Sequence, residues 1–321
     1  MSEADFQLRA DPQFRADVLD GLRGPRRAIP ARWFYDERGS ELFDEITRLP
    51  EYYPTRTETA LLEQCRGNIA GHIKAGAAVV EFGAGSATKT PLLLEAIAPS
   101  AYVPIDISGD YLRASANVLQ SQFPSLNVIP IEADFTQSMA LPSGIDGAPR
   151  LGFFPGSTIG NFVPRSSVNL LRHMREILEE GAKLLIGFDR IKPVDILIPA
   201  YDDAKGVTAA FNLNLLHRIN RELDGDIPAG AFVHDVRWND SEARIEMHLR
   251  CIRDVRFSVA GDIFSMRDGE SIHTENSHKY DLRSLRLLLR AACWTPLVDY
   301  SDADNWFTLV LAEAAPIYAA P

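Results

Sequence analysis

Cysteine is scarce in this chain. Three occur in 321 residues, Cys65, Cys251 and Cys293, and they lie far apart, match no metal-ligand spacing and cannot all pair. That sets aside a disulfide-stapled or zinc-ribbon protein and fits a reducing compartment. Runs of basic residues are lacking too: the longest is Arg26-Arg27, in a chain of net charge -11. An acidic chain with no basic stripe repels phosphate backbones, so nucleic acid is not an expected partner. No uncharged stretch approaches membrane-spanning length, and the opening "MSEADFQLRADPQFRADVL" is charged throughout, without the apolar centre of a signal peptide. No membrane association is expected, and the cytoplasm is the expected location. Internal repeats are absent, and the one biased segment is the Ala/Pro tail after Glu313.

What is present is an ordinary globular composition, 46% hydrophobic and 24% charged. From 77 to 189 short apolar runs alternate with helical stretches. The runs are Ala78–Phe82, Ala101–Ile105, Asn127–Ile131, Arg150–Phe154 and Lys183–Phe188, with helices near 89–97, 110–121 and 165–179. This rhythm predicts a parallel sheet covered by helices on both faces. After Asp189 it breaks. A helical pattern in "GVTAAFNLNLLHRINRELDG" is followed by strand-like runs at 231–238, 243–251 and Val255–Val259, which predict a small antiparallel sheet inserted in the chain. A helix near 281–292 and runs at Thr295–Tyr300 and Trp306–Glu313 read as a return to the first domain.

The stretch "EFGAGSATKT", 81 to 90, follows the first strand and precedes a helix. Its glycines allow a close backbone approach. A P-loop would need glycine before Lys89-Thr90, and a dinucleotide turn would need a third glycine where Thr88 stands. The remaining class is the S-adenosylmethionine turn. "YVPIDIS" then places Asp106 at the end of the second strand, where a carboxylate can accept both ribose hydroxyls. "IEADFTQ" places Asp134 toward an adenine amino group with Phe135 beside the ring. Any one of these is more often a tight turn or a helix cap. Together, at the carboxyl ends of successive strands, they indicate a ligand site.

The segments "WFYDERGSELFDEITRLPEYYPTRTE", "EFGAGSATKT", "PGSTIGNF", "AYDDAKGVTAAFN", "RIEMHL" and "TENSHKY" occur in this order. In that combination, from about Pro30 to Ala312, the chain resembles the histidine Nα-methyltransferases of ergothioneine biosynthesis. The resemblance implies an α/β fold: a Rossmann-like class I S-adenosylmethionine-dependent methyltransferase sheet with an inserted α+β substrate-binding domain. It implies trimethylation of the L-histidine α-amine to hercynine, with S-adenosyl-L-methionine as donor, S-adenosyl-L-homocysteine as product, and no metal. Gly83, Lys89, Asp106, Asp134 and Phe135 match the family's cofactor positions, and Gly156 is counted with them. Tyr52, Asn161, Tyr201, Glu275 and Ser277 match its histidine-binding positions, with Tyr35, Gly156, Thr208 and Met247 near the pocket. Tyr35 and Asn161 are the candidates to act on the reacting amine. The expected division is 1–72 as a helical segment contributing to the substrate pocket, 73–189 with 281–321 as the methyltransferase domain, and 190–280 as the substrate-binding insertion closing over the sheet. A monomer is expected.

The chemistry of these residues agrees. Tyrosine hydroxyls and the Asn161 amide suit an amino-acid end, while Glu275 accepts a ring N–H and Ser277 serves the other ring nitrogen. In an extended segment, residues two apart share a side. Met247 is either a pocket wall or plain core. The seven histidines, His72, His173, His217, His234, His248, His273 and His278, are read as structural or surface groups. The alternatives are the same chemistry on tryptophan or a derivative, a non-catalytic ligand-binding protein, and a nicotinamide oxidoreductase.

Overall fold

The computed structural model describes residues 11–85 and 87–315. Two compact units result: one is the described chain up to Tyr52 together with Pro193–Ser277, the other is Tyr53–Lys192 with the described chain from His278 on.

In the first unit Asp11 starts helix α1 (Pro12–Arg23) by accepting the amides of Gln13 and Phe14, and Asp36 starts α2 (Glu37–Ile46) by accepting that of Gly39. These carboxylates satisfy amides that the first helical turn leaves without partners. The second unit then runs through α3 (Tyr53–His72), β1 (Ala78–Phe82), α4 (Thr90–Ile97), β2 (Ala101–Asp106), α5 (Gly109–Gln122), β3 (Asn127–Val128), β4 (Ile131–Glu132), β5 (Arg150–Phe154), α6 (Pro164–Leu178) and β6 (Lys183–Asp189). The chain returns to the first unit for α7 (Val194–Tyr201), α8 (Val207–Glu222), β7 (Phe232–Asn239), β8 (Arg244–Cys251), β9 (Val255–Val259), β10 (Asp262–Met266) and β11 (Ser271–His278), whose last residue begins the second unit again. Helix α9 (Leu282–Ala291) and strands β12 (Trp294–Ser301) and β13 (Phe307–Ala314) complete it.

The large sheet has the order β12-β13-β6-β5-β1-β2-β3, with β4 also paired to β2. Strands β1 to β6 are parallel, and β13 enters antiparallel between β6 and β12. Each face of the sheet has its own core. Ala78, Val80 and Phe82 point to the face covered by α6 and α9, while Val79 points to the face covered by α3, α4 and α5. Burial on both faces is why β1, Ala-Val-Val-Glu-Phe, does not alternate between apolar and solvated residues, its one charged residue, Glu81, being buried too. The strand order reverses direction at β1 and β5, and such sheets take ligands outside the carboxyl ends at that point. This is the Rossmann-like methyltransferase architecture implied by the resemblance.

Three expectations change. The run Asn127–Ile131 is two short strands, because Pro130 has no amide to donate to the ladder. In the inserted part, the three-stranded sheet is β11-β8-β7, and Val255–Val259 is not its third strand. That segment pairs instead with β10 across Ala260-Gly261, both of which have positive φ, the geometry of a tight two-residue hairpin. The compact units also divide differently from the expected domains. The chain up to Tyr52 clusters with 193–277, and the rest of the 1–72 segment, α3, packs on the large sheet.

Candidate active site

The glycine turn leaves β1 in the second unit. Gly83 and Gly85 have φ of 72° and 47°, and the amides of Gly83 and Ala84 both donate to the Ile105 carbonyl at 2.8 and 3.1 Å. The turn is thereby pinned to the end of β2. Gly85 N–H donates to Asp106 Oδ2 at 3.1 Å, and Asp106 Oδ1 accepts the Ser108 amide at 2.9 Å. A methyl group built on Gly85 meets nothing within 4 Å, and one on Gly83 meets only the Phe135 ring at 3.5 Å. Phe135 is held edge-on by Phe82 and Phe154, at centroid distances of 6.3 and 5.7 Å. Asp134 accepts the Thr136 amide and hydroxyl at 2.9 and 2.6 Å. An open glycine turn, an adjacent carboxylate and a fixed aromatic ring fit an adenosyl ligand.

Glu81 of the same motif faces inward. It is buried, accepts the Thr90 and Tyr102 hydroxyls at 2.7 Å each, and burial raises it to about 7. It ties the start of α4 to the sheet. Lys89 pairs with the buried Glu58, and Glu58 also accepts the Gly156 amide. Asn161 ends the short turn Thr158–Asn161. Beside it, a Cβ on Gly160 would lie 2.9 Å from the His278 carbonyl oxygen, and His278 Nδ1 lies 2.8 Å from the Gly160 carbonyl oxygen. His278, which the motif alone left without a role, holds this turn.

In the first unit the aromatic residues of the expected substrate site come together. Tyr52 lies edge-on to Tyr201 at 6.2 Å and to Phe43 at 6.3 Å, and Tyr35 edge-on to Phe43 and Phe211 at 5.6 and 5.8 Å. The Tyr201 hydroxyl and Ser277 Oγ are 2.7 Å apart and buried. Glu275 and Ser277 both lie in β11. The in-out alternation of burial holds from Ser271 to Glu275 and breaks at Asn276. Met247 is 1% exposed on the apolar face of β8, alongside Ile245 and Leu249. Thr208 is buried in the first turn of α8, its amide on Asp203 Oδ1 at 2.7 Å.

Sequence reasoning missed several groups. Asn212 Nδ2 lies 2.8 Å from His234 Nδ1, and His234 Nε2 lies 2.7 Å from the Tyr201 carbonyl. An amide nitrogen can only donate, so His234 accepts at Nδ1 and donates from Nε2 to that carbonyl. Burial lowers its pKa and keeps the ring neutral. Glu246, His248 and His273 also converge, their ligand atoms within 4.8 Å of one another. The Arg244 guanidinium holds Glu246 through Nε and a terminal nitrogen at 2.8 and 2.7 Å, so a cation already stands at this carboxylate. Only the spacing of Glu246 and His248 was visible in sequence; His273 comes from a strand that was not predicted.

The chain matches the family model described as "Histidine-specific methyltransferase, SAM-dependent" over residues 14–314. It is 38% identical over 305 residues to a histidine N-alpha-methyltransferase of Mycobacterium tuberculosis, covering 93% of this chain and 94% of that protein. A histidine N-alpha-methyltransferase of Mycolicibacterium smegmatis is 39% identical over 273 residues, covering 83% and 84%. Ergothioneine biosynthesis protein 1 of Neurospora crassa is 30% identical over 308 residues, which span 91% of this chain and 34% of that longer protein.

Proposed function

Because the chain belongs to the S-adenosylmethionine-dependent, histidine-specific methyltransferase family, we propose that it methylates the α-amine of L-histidine three times to give hercynine, the first step of ergothioneine biosynthesis. The observation that carries the substrate reading is the buried pairing of Tyr201 with Ser277, two residues from Glu275 on one strand. A carboxylate beside a hydroxyl pair offers an acceptor and a donor, the two functions a neutral imidazole requires. Phenylalanine or leucine would bury those polar groups against an apolar side chain that returns no hydrogen bond, which is how such sites reject apolar analogues by large factors. The reading uses no metal. It takes the chain to act in the cytoplasm as a monomer, and among the described residues no helix is long and apolar enough to cross a membrane.

S-adenosylmethionine supplies an electrophilic methyl group on a sulfonium; the remaining work falls to the chain. Gly83, Gly85, Asp106, Asp134 and Phe135 hold the adenosyl part. The substrate-site residues Tyr52, Asn161, Tyr201, Glu275 and Ser277 position an amine that must arrive unprotonated, and positioning of this kind is worth several kcal/mol. A peptide α-amine has a pKa of about 7.7 to 8.0 and that of a free amino acid is somewhat higher, but removal of water and the neighbouring positive sulfonium lower it. A strong dedicated base is therefore not needed, and a tyrosine hydroxyl or water suffices to carry the proton away. Tyr35 and Tyr52 present aromatic faces that favour a methylated, cationic amine.

The test is purified protein with S-adenosylmethionine and each of the twenty amino acids, followed by mass spectrometry for gains of one, two and three methyls. Trimethylation of histidine alone is the expected outcome. Trimethylation of tryptophan would preserve the donor site and overturn the Glu275 and Ser277 assignment. No product from any amino acid would favour a ligand-binding protein.

A further inference from the structure

One buried carboxylate in the second unit has no role in the reading above. Glu58, on α3, has a side chain 1% exposed. Its oxygens accept the Gly156 amide at 3.1 and 2.9 Å, and one of them takes the Lys89 ammonium. Gly156 has φ of 81° and follows β5, while Lys89 immediately precedes α4. Three segments far apart in sequence therefore meet on one acid. Behind it, β6 carries Gly187, where a Cβ would lie 2.4 Å from Glu58 Oε1 and 2.9 Å from the Phe307 ring. The strand leaves the space this carboxylate occupies. Glu81, the other buried acid nearby, is committed to Thr90 and Tyr102.

A buried carboxylate needs charged or hydrogen-bonding partners to offset its desolvation, and Glu58 has both. What it gives in return is order. A lysine side chain has many rotamers to lose on binding, and one held in advance binds without that loss. An ammonium has three donors, so Lys89 can bond Glu58 and still donate to a second anion.

We propose that Glu58 is a positioning residue of the donor site, holding Lys89 and the Gly156 amide in fixed relation so that Lys89 receives the carboxylate of the donor's methionine part. The proposal rests on the assignment of Lys89 and Gly156 to the S-adenosylmethionine site. It makes a signed prediction. Removing the Glu58 charge leaves Lys89 a less neutralised cation, and electrostatics alone would then tighten the binding of an anionic group. Loss of positioning would weaken it.

The experiment is calorimetric binding of two ligands to the wild-type protein and to Glu58→Gln. S-adenosylhomocysteine carries the carboxylate; 5′-methylthioadenosine has the same adenosine and thioether but lacks the amino-acid part. The expected result is about a tenfold weaker Kd for S-adenosylhomocysteine in the variant, the scale of one charge-assisted hydrogen bond, with methylthioadenosine within about twofold of wild type. Equal weakening of both ligands would mean a structural role, and tighter S-adenosylhomocysteine binding would mean a purely electrostatic one; either overturns the proposal. Wild-type protein that binds neither ligand would instead remove the donor-site assignment itself. Should the glutamine variant not fold, Glu58→Asp, which keeps the charge and retracts it by one methylene, is held to the same two-ligand comparison.

Discussion

Tyr201 is the residue on which most of the substrate reading converges. Its hydroxyl meets Ser277 Oγ, its ring meets Tyr52, and its carbonyl is held by His234, which Asn212 orients in turn. Asn212 also accepts the Thr274 hydroxyl at 2.8 Å, so the same polar chain reaches β11. Loss of one buried hydroxyl bond costs about 1 to 3 kcal/mol. Tyr201→Phe keeps the ring and removes only that oxygen. The expected outcome is a histidine KM raised by about tenfold or more, with the affinity for S-adenosylhomocysteine unchanged. Steady-state kinetics with a parallel binding measurement decides it: an unchanged KM would separate the Tyr201–Ser277 pair from substrate recognition. The pairing was legible in sequence as residue types in the right motifs, but the second layer behind it was not. Asn212 and His234 carry no motif of their own, and their roles exist only once α8 packs against β7 and β8.

At the scale of elements, the sequence located strands best where burial is complete. The bounds of β1 and β5 follow directly from their apolar runs, because both faces are covered. Strand β11 escaped detection because "SIHTENSH" is polar and its burial does not alternate throughout. Its pairing with β8 brings His273 onto His248, ring centroids 4.8 Å apart and nearly parallel. Burial lowers both histidines, His248 to about 4. Burial acts against Glu246 too, but hydrogen bonds from Asn239, Arg244 and His248 outweigh it and hold that carboxylate at about 2. The sign follows from proton counting. Below its ordinary value of 6.5, a histidine of the unfolded chain binds a proton that folded His248 refuses until about pH 4, so stability falls as pH falls across that window. From 4.5 down to about 2 the unfolded chain likewise protonates Glu246 ahead of the folded state, and the loss continues. Denaturant unfolding at pH 7 and at pH 5 should show lower stability at pH 5, and His248→Gln should flatten that difference. A wild-type protein equally stable at both values would contradict the neutral stacked pair.

For the molecule as a whole, the two compact units carry different assignments except for Asn161, a substrate-site candidate that lies in the second unit, and each ligand should leave its own trace. The glycine turn, Asp106, Asp134 and Phe135 belong to the second unit, while Tyr201, Glu275 and Ser277 belong to the first. The division was only partly legible, because nothing in the apolar pattern of 12–46 indicates that these helices cluster with a segment beginning at Pro193. A ligand stabilises the state it binds, by about 2.7 kcal/mol at a hundredfold excess over its Kd. For amides that exchange through local opening, that is roughly a hundredfold slowing where the ligand sits. S-adenosylhomocysteine alone should therefore slow hydrogen exchange at residues 83–85, 106–108 and 134–136, and leave 271–277 at its free rate. Histidine added to that complex should slow exchange at 201 and across 271–277. Protection of 271–277 by S-adenosylhomocysteine alone would show that the donor already orders the substrate strand. Failure of histidine to protect that strand would remove Glu275 and Ser277 from the substrate site while leaving the donor site intact.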